Sequence, residues 1–319
     1  MSGIIKRGFM SGLALTWTLG KIIFPVTVII MIISHTKLFP IIIDWISPFM
    51  KLLGLSGEAA VPLVMANFLN LYAGIGAILT FGFTVKEVFI MAIMMSFSHN
   101  LIIEGTLASK VGVNFWVITG VRVLLAVFSA ILINVFWDGG AEMAQYGLIP
   151  AETAAPETWG AIIFTALKTA TVGVFQLALI VIPLMIVMQW LRERNYFDFL
   201  SKKLEPFTKV LGVERNASMV LVFGLTIGLA YSAGLMIQSA KEDGVSKKDM
   251  YLVLIFLVSC HAVIEDTLVF APLGIPLWPL LAIRLITALL LTALIGVIWN
   301  KVEVSKRKEP TNEHSYNSL

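Results

Sequence analysis

The chain has 319 residues, of which 58% are hydrophobic and 13% charged, and its formal net charge is +3 at neutral pH. A mean hydropathy of +0.89 excludes a soluble enzyme domain and points to an integral membrane protein, while the single cysteine, Cys260, excludes an intramolecular disulfide. That charge says nothing about nucleic acid, because the basic residues sort by side of the membrane, and no nucleic acid partner is expected.

The first apolar run, Trp17 to Ile33, follows Lys6 and Arg7 as the core of a signal peptide would. Lys21 and Pro25 interrupt it and no small-x-small cleavage pattern follows, so a retained helix is expected. A segment around Trp45, Pro48 and Phe49 mixes aromatics with lysine, as interfacial helices do. Ser56 to Gly82 is rich in small residues and reads either as a full crossing or as a re-entrant hairpin. Thr84 with Glu87 forms a capping box that opens a third helix ending at Glu104, and the run Asn114 to Trp137 carries Arg122. Residues 138–160 form an acidic linker. The second half repeats the series: an apolar run from Ala161 to Trp190, an aromatic and basic segment at Tyr196, Phe199, Pro206 and Phe207, and a small-residue stretch from Arg215 to Ala240. Ser246 with Asp249 makes a second S/T-x-x-D/E box before the run Met250 to Ile264, and Ile275 to Trp299 carries Arg284. Residues 301–319 are polar and read as a disordered tail.

This parallel is an internal duplication. Pro25 recurs as Pro183, and the run Pro48, Phe49, Lys51, Gly54 recurs as Pro206, Phe207, Lys209, Gly212, all at an offset of 158. Ala73 and Gly74 recur as Ala233 and Gly234, Glu104 and Thr106 as Glu265 and Thr267, and Gly112, Trp116 and Arg122 as Gly274, Trp278 and Arg284 at an offset of 162. A duplicated half in a chain this apolar is a signature of transporters built from related repeats.

Basic residues decide the topology, since Lys and Arg collect in cytoplasmic loops. If each small-residue stretch dips in and returns, the basic block from Arg192 to Arg215 and the basic tail share the inside with Lys6 and Arg7. Only Lys37, Lys51 and Lys86 then fall outside, together with the acidic linker. The expected fold is an all-α integral membrane protein of two inverted repeats. Each has three crossings, an interfacial amphipathic helix and a re-entrant hairpin. The first repeat spans residues 1–137, an extracytoplasmic linker 138–160, the second repeat 161–300 and a cytoplasmic tail 301–319. Hairpin limbs of about 12 residues rise about 18 Å, which sets their tips near the midplane of the bilayer.

Charged groups in a membrane are costly unless paired or hydrated, so each is a functional candidate. Glu104 and Glu265 follow polar stretches, Ser98, His99, Asn100 and Ser259, Cys260, His261, where a spanning helix should be apolar. Local unwinding is expected there, exposing helix ends that hold ions or polar solutes. The other reading sets each Glu at the interface. Arg122 and Arg284 either pair with Glu104 and Glu265 as intramembrane ion pairs or present guanidinium forks to a carboxylate or phosphate of a solute. Aligning the two Glu sets Cys260 against His99 and Asp266 against Gly105. Asp266 beside Glu265 is the natural titrating pair for proton coupling. Alternatively Cys260, His261 and Glu265, with His99, form a soft divalent-metal site, His261 and Glu265 sharing a helix face.

The paired halves and the breaks SHNLIIEGT and SCHAVIEDT resemble the Gate, or nucleoside-recognition, membrane proteins, a group that includes spore maturation proteins A and B. The resemblance runs from about Gly3 to Asn300 and extends distantly to concentrative nucleoside transporters and to the permease part of ferrous iron transporters. It implies solute contacts at the hairpin tips, by position Asn67, Asn70, Thr226 and Ser232, and at the segments His99 to Glu104 and Cys260 to Asp266. The nucleoside-binding motif of those transporters and the cysteine-bearing gate of an iron permease have no copy here, which leaves the substrate open. The functional expectation is a secondary transporter of a small polar solute, nucleoside-like or a small organic anion, with a proton as a candidate coupling ion. Divalent-metal transport and a non-transporting assembly or maturation role are the alternatives. No nucleophile and base constellation suggests an enzyme, and no cofactor is expected. The partners are the solute, the bilayer of the cytoplasmic (inner) membrane with both termini inside, and a further copy of the chain if it forms a homo-oligomer.

Overall fold

A computed structural model describes residues 2–145, 158–194, 196, 215–229, 236–237 and 245–308. Among them the regular structure is helical, apart from a single bridge between Thr84 and Met143. Among the described residues, four helices are long and apolar enough to cross a membrane, or up to six spans if two bent pairs each count as one. The chain is a membrane protein.

The opening helix α1 (Ser2–Ser34) contains Pro25 and bends by about 40° between Thr18 and Ile23. Proline removes the bond to the carbonyl four residues earlier and crowds it, which bends the helix just ahead of the ring. α1 runs antiparallel to α8 (Trp159–Glu193) along its length. A Cβ on Gly8 would lie 2.6 Å from the Ile186 Cα, one on Gly12 2.8 Å from the Ile182 Cα, and one on Gly20 3.1 Å from Val174. Small residues at one face let the backbones close up, as membrane helices do where lipid gives no hydrophobic drive. The contact ends at a two-point ion pair from Arg7 to Glu193. This places the opening helices of the two halves side by side.

α2 (Leu38–Leu52) presents Ile41, Trp45 and Phe49 on its exposed side, as expected of an amphipathic segment. Next come a 3-10 turn and a helical hairpin, α3 (Ala60–Phe68) and α4 (Leu71–Ile78). The limbs are nine and eight residues, shorter than the twelve expected. The turn falls at Leu69 and Asn70, where the Asn70 side chain accepts the Ala73 amide as an N-cap. Gly74 lets the limbs touch, since a Cβ there would lie 2.6 Å from the Ala66 Cβ.

α5 (Val85–Ser98) opens with the expected capping box, complete in both directions, and is buried from Val88 to Ser98. It ends before Glu104. His99 turns extended, Asn100 adopts φ 53° in the left-handed region, and α6 (Leu101–Lys110) carries Glu104 in its first turn. The second half is alike: α10 (Lys247–Ser259) is capped by Ser246, buried from Leu252 to Ser259 and broken after Ser259, with Ala262 at φ 41°, before the four-residue α11 (Glu265–Leu268). α9 (Arg215–Ile227) packs on α10. The last helices, α7 (Phe115–Phe136) and α12 (Leu277–Lys308), flank these buried helices and cross between halves, α7 against α10 and α12 against α5. α12 continues to Lys308, where composition predicted the start of an unstructured tail; a run of Lys, Arg and Glu readily extends a formed helix. Of the second small-residue stretch, residues 230–235 and 238–240, together with most of the aromatic segment after Tyr196 and residues 309–319, lie outside the described residues.

Candidate functional site

The two helix breaks face each other at the centre of the fold, and the polar residues expected there converge. A break leaves carbonyls at the end of α5 and α10 without intrahelical partners, and the two arginines fill that need. Arg122, fully buried, donates from Nε to the Phe97 carbonyl and from Nη2 to the His99 carbonyl, each at 2.6 Å. Its Nη1 lies 2.8 Å from Glu104 Oε2, an ion pair off the axis of a hydrogen bond. Arg284, also fully buried, donates to the His261 carbonyl at 2.8 Å, to Thr267 Oγ1 at 3.1 Å and to Asp266 Oδ2 at 3.3 Å. The arginines therefore hold the broken helix ends and neutralise one acid each, and neither points a free fork at a solute.

This geometry corrects the pairing of the halves by one residue. Arg284 takes Asp266, not Glu265, as its acid. Both histidines place their carbonyl on the arginine of their own half and their Nδ1 on the carbonyl four residues back, His99 on Met95 at 2.7 Å and His261 on Leu257 at 2.8 Å. Both left-handed residues, Asn100 and Ala262, donate their amides to a neighbouring helix, to Ala66 of α3 at 3.0 Å and to Gly224 of α9 at 3.1 Å. His99 thus corresponds to His261 and Glu104 to Asp266, the offset of 162 that also relates Arg122 to Arg284. The break between His261 and Glu265 means that these two share no helix face. Glu265 turns away to accept a 2.7 Å hydrogen bond from Tyr72 of the first hairpin, a contact across 193 positions that sequence reading missed.

The halves meet at the imidazoles. Ring centroids of His99 and His261 are 5.2 Å apart. Glu104 Oε1 lies 3.6 Å from His99 Nε2 and 3.5 Å from His261 Nε2, and Asp266 Oδ2 lies 3.4 Å from His261 Nε2. The soft metal set is corrected too: Cys260 packs in an apolar cluster, and among the described residues it is His99, His261 and Asp266 that bring ligand atoms together.

Of the hairpin candidates, Asn70 spends its side-chain oxygen on the cap, and Thr226 donates to the Val222 carbonyl within its helix. Ser232 lies outside the described residues. Asn67 Oδ1 and Asn100 Oδ1 are buried without a hydrogen-bond partner, and they flank the backbone bond from Asn100 to Ala66. Buried unpaired amide oxygens are costly unless something meets them. A wide groove of about 780 Å³ lies elsewhere, between α7 and α12, and is lined by Phe128, Leu132, Phe136, Leu290 and Leu294. So apolar a groove suits lipid chains rather than a polar solute.

A family model described as "Gate: Nucleoside recognition" matches residues 16–114 and again 174–276. The segments start 158 apart (174 less 16) and end 162 apart (276 less 114), the same two offsets that relate the halves. The uncharacterized membrane protein YvoD of Bacillus subtilis (strain 168) is 56% identical over 301 residues, which is 94% of this chain and 96% of that protein. No solved structure matches the chain.

Proposed function

The chain belongs to the Gate family of nucleoside-recognition membrane proteins, and from that premise we propose that it is a secondary transporter of a small, polar, uncharged solute of nucleoside type. The observation that carries this reading is the meeting of two helix breaks around buried polar groups, with the amide oxygens of Asn67 and Asn100 unpaired beside them. Ribose hydroxyls and base N–H groups are donors that such oxygens accept. A small organic anion is the weaker solute, because Arg122 and Arg284 are already engaged with acids and carbonyls.

The proposed architecture is two inverted repeats in the cytoplasmic membrane, with both termini inside. The antiparallel packing of α1 on α8 and the reciprocal packing of α7 on α10 and α12 on α5 support it, as does the distribution of Lys and Arg. The α3–α4 hairpin is read as re-entrant, because backbone that turns at membrane depth must be buried in protein or line a wet cavity. Alternating access then amounts to rocking one half against the other about the paired breaks.

Melting the purified protein with a panel of nucleosides, phosphates and dicarboxylates tests the proposal, since a ligand that prefers the folded state raises the midpoint. A rise with nucleosides that is lost in Asn67→Ala supports it. A rise with dicarboxylates alone, or a nucleoside response untouched by Asn67→Ala, would sink it.

A further inference from the structure

We propose that His99 and Glu104 from the first half and His261 and Asp266 from the second form a binding site for one divalent transition-metal ion of the zinc class. Each Nδ1 sits 2.7–2.8 Å from a backbone carbonyl, and a carbonyl only accepts, so Nδ1 carries the ring proton. In the neutral imidazoles Nε2 is then a bare lone pair. Those lone pairs face carboxylate oxygens: His261 Nε2 has Asp266 Oδ2 at 3.4 Å and Glu104 Oε1 at 3.5 Å, and His99 Nε2 has Glu104 Oε1 at 3.6 Å. Acceptors opposed at such range inside a protein repel unless a cation lies between them.

The spacing fits a metal ion. Ligands about 2.0–2.1 Å from a tetrahedral ion are about 3.3 Å from one another, close to the 3.4–3.6 Å between the nitrogens and oxygens here. One ligand atom from each of His99, His261 and Asp266 lies within 4.8 Å of the other two, and all three residues are buried. A backbone carbonyl fixing the far nitrogen of each imidazole is the usual support of a metal-bound histidine. Two imidazoles with two carboxylates select zinc, cobalt or nickel over magnesium and calcium, which prefer oxygen alone. Because each half supplies two ligands, the ion would tie the halves together at the breaks.

Equilibrium binding of Co²⁺ to the full chain in detergent, followed by visible absorption, tests the site and involves no solute or transport, so its outcome is separate from the transporter reading. The expected result is one ion per chain, the intense visible bands of a four-coordinate site without a near-ultraviolet sulfur band, and displacement by Zn²⁺. His99→Gln and His261→Gln, which keep bulk and hydrogen-bonding capacity, should each weaken binding at least about tenfold, and Cys260→Ser should leave it unchanged. The wild-type spectrum decides even if a variant fails to fold. No stoichiometric Co²⁺ uptake, which would leave a proton alone to reconcile the nitrogens and oxygens, overturns the proposal. So does a sulfur band lost in Cys260→Ser, or binding indifferent to both histidine changes.

Discussion

Replacing Arg284 by methionine should expose which acid it holds. The guanidinium is fully buried and serves the His261 carbonyl, Thr267 and Asp266, so its removal strands one carboxylate and a helix-end carbonyl. Breaking a buried pair costs about 3–5 kcal/mol in water-soluble proteins, whereas polar contacts between membrane helices average nearer 0.6 kcal/mol. A loss of about 2–3 kcal/mol is the expected compromise for three contacts. The partner follows from double-mutant cycles, measured by reversible unfolding in mixed detergent micelles. Arg284→Met with Asp266→Asn should couple by about 1–2 kcal/mol, and Arg284→Met with Glu265→Gln by less than about 0.5 kcal/mol. Arg122→Met with Glu104→Gln, across a 2.8 Å contact, serves as the reference and should couple at least as strongly as Asp266. If Glu265 couples to Arg284 as strongly as Asp266 does, the one-residue correction of the halves is refuted.

Tyr72→Phe deletes the hydrogen bond to Glu265 and should raise amide exchange in α3 and α4 while sparing α1 and α8; equal exchange everywhere would mean that the contact is idle. Gly74→Ala puts a Cβ 2.6 Å from Ala66 and 3.0 Å from the Pro62 carbonyl, so about 1–3 kcal/mol of stability should be lost, and Ala66→Gly in the same background should restore part of it in the same unfolding assay. Thr84→Ala removes a complete capping box and should cost about 1 kcal/mol. The Glu193 carboxyl is held down at about 2 by the hydrogen bonds from Arg7 and then Gln189. A depressed carboxyl contributes stability above the unfolded value of about 4.3, and this fades as the pH falls towards the folded value. Arg7→Gln should therefore flatten the acid dependence of the melting temperature between about pH 5 and pH 2, with little change in slope near neutrality.

The duplication and both helix breaks were legible because each leaves a local mark: a polar tripeptide inside an apolar run, a glycine, a capping serine or threonine. The register across the break was legible as well, though matching Glu104 to Glu265 hid it. Thr84 and Glu87 relate to Ser246 and Asp249 by 162, and Arg122 to Arg284 by the same 162. With equal offsets on both flanks no insertion lies between, and His99 falls on His261. Identity of side chain misled where spacing did not, because an aspartate on a short α11 does the work of a glutamate on α6. Tyr72 meeting Glu265 left no mark, since partners so far apart are brought together by packing of the halves alone. Carbonyls as partners of the arginines left little more: a helix break implies that some carbonyls need donors, but not which cation reaches them.

Uptake of labelled nucleosides into proteoliposomes tests the central claim most directly, with Asn67→Ala and Asn100→Gly as comparisons, glycine being chosen because position 100 has φ 53°. Saturable uptake by the wild-type chain, and its loss in both variants while their folding is retained, is the expected result. Folded wild-type protein that moves no nucleoside, or variants that move it as well as the wild type, would contradict the account.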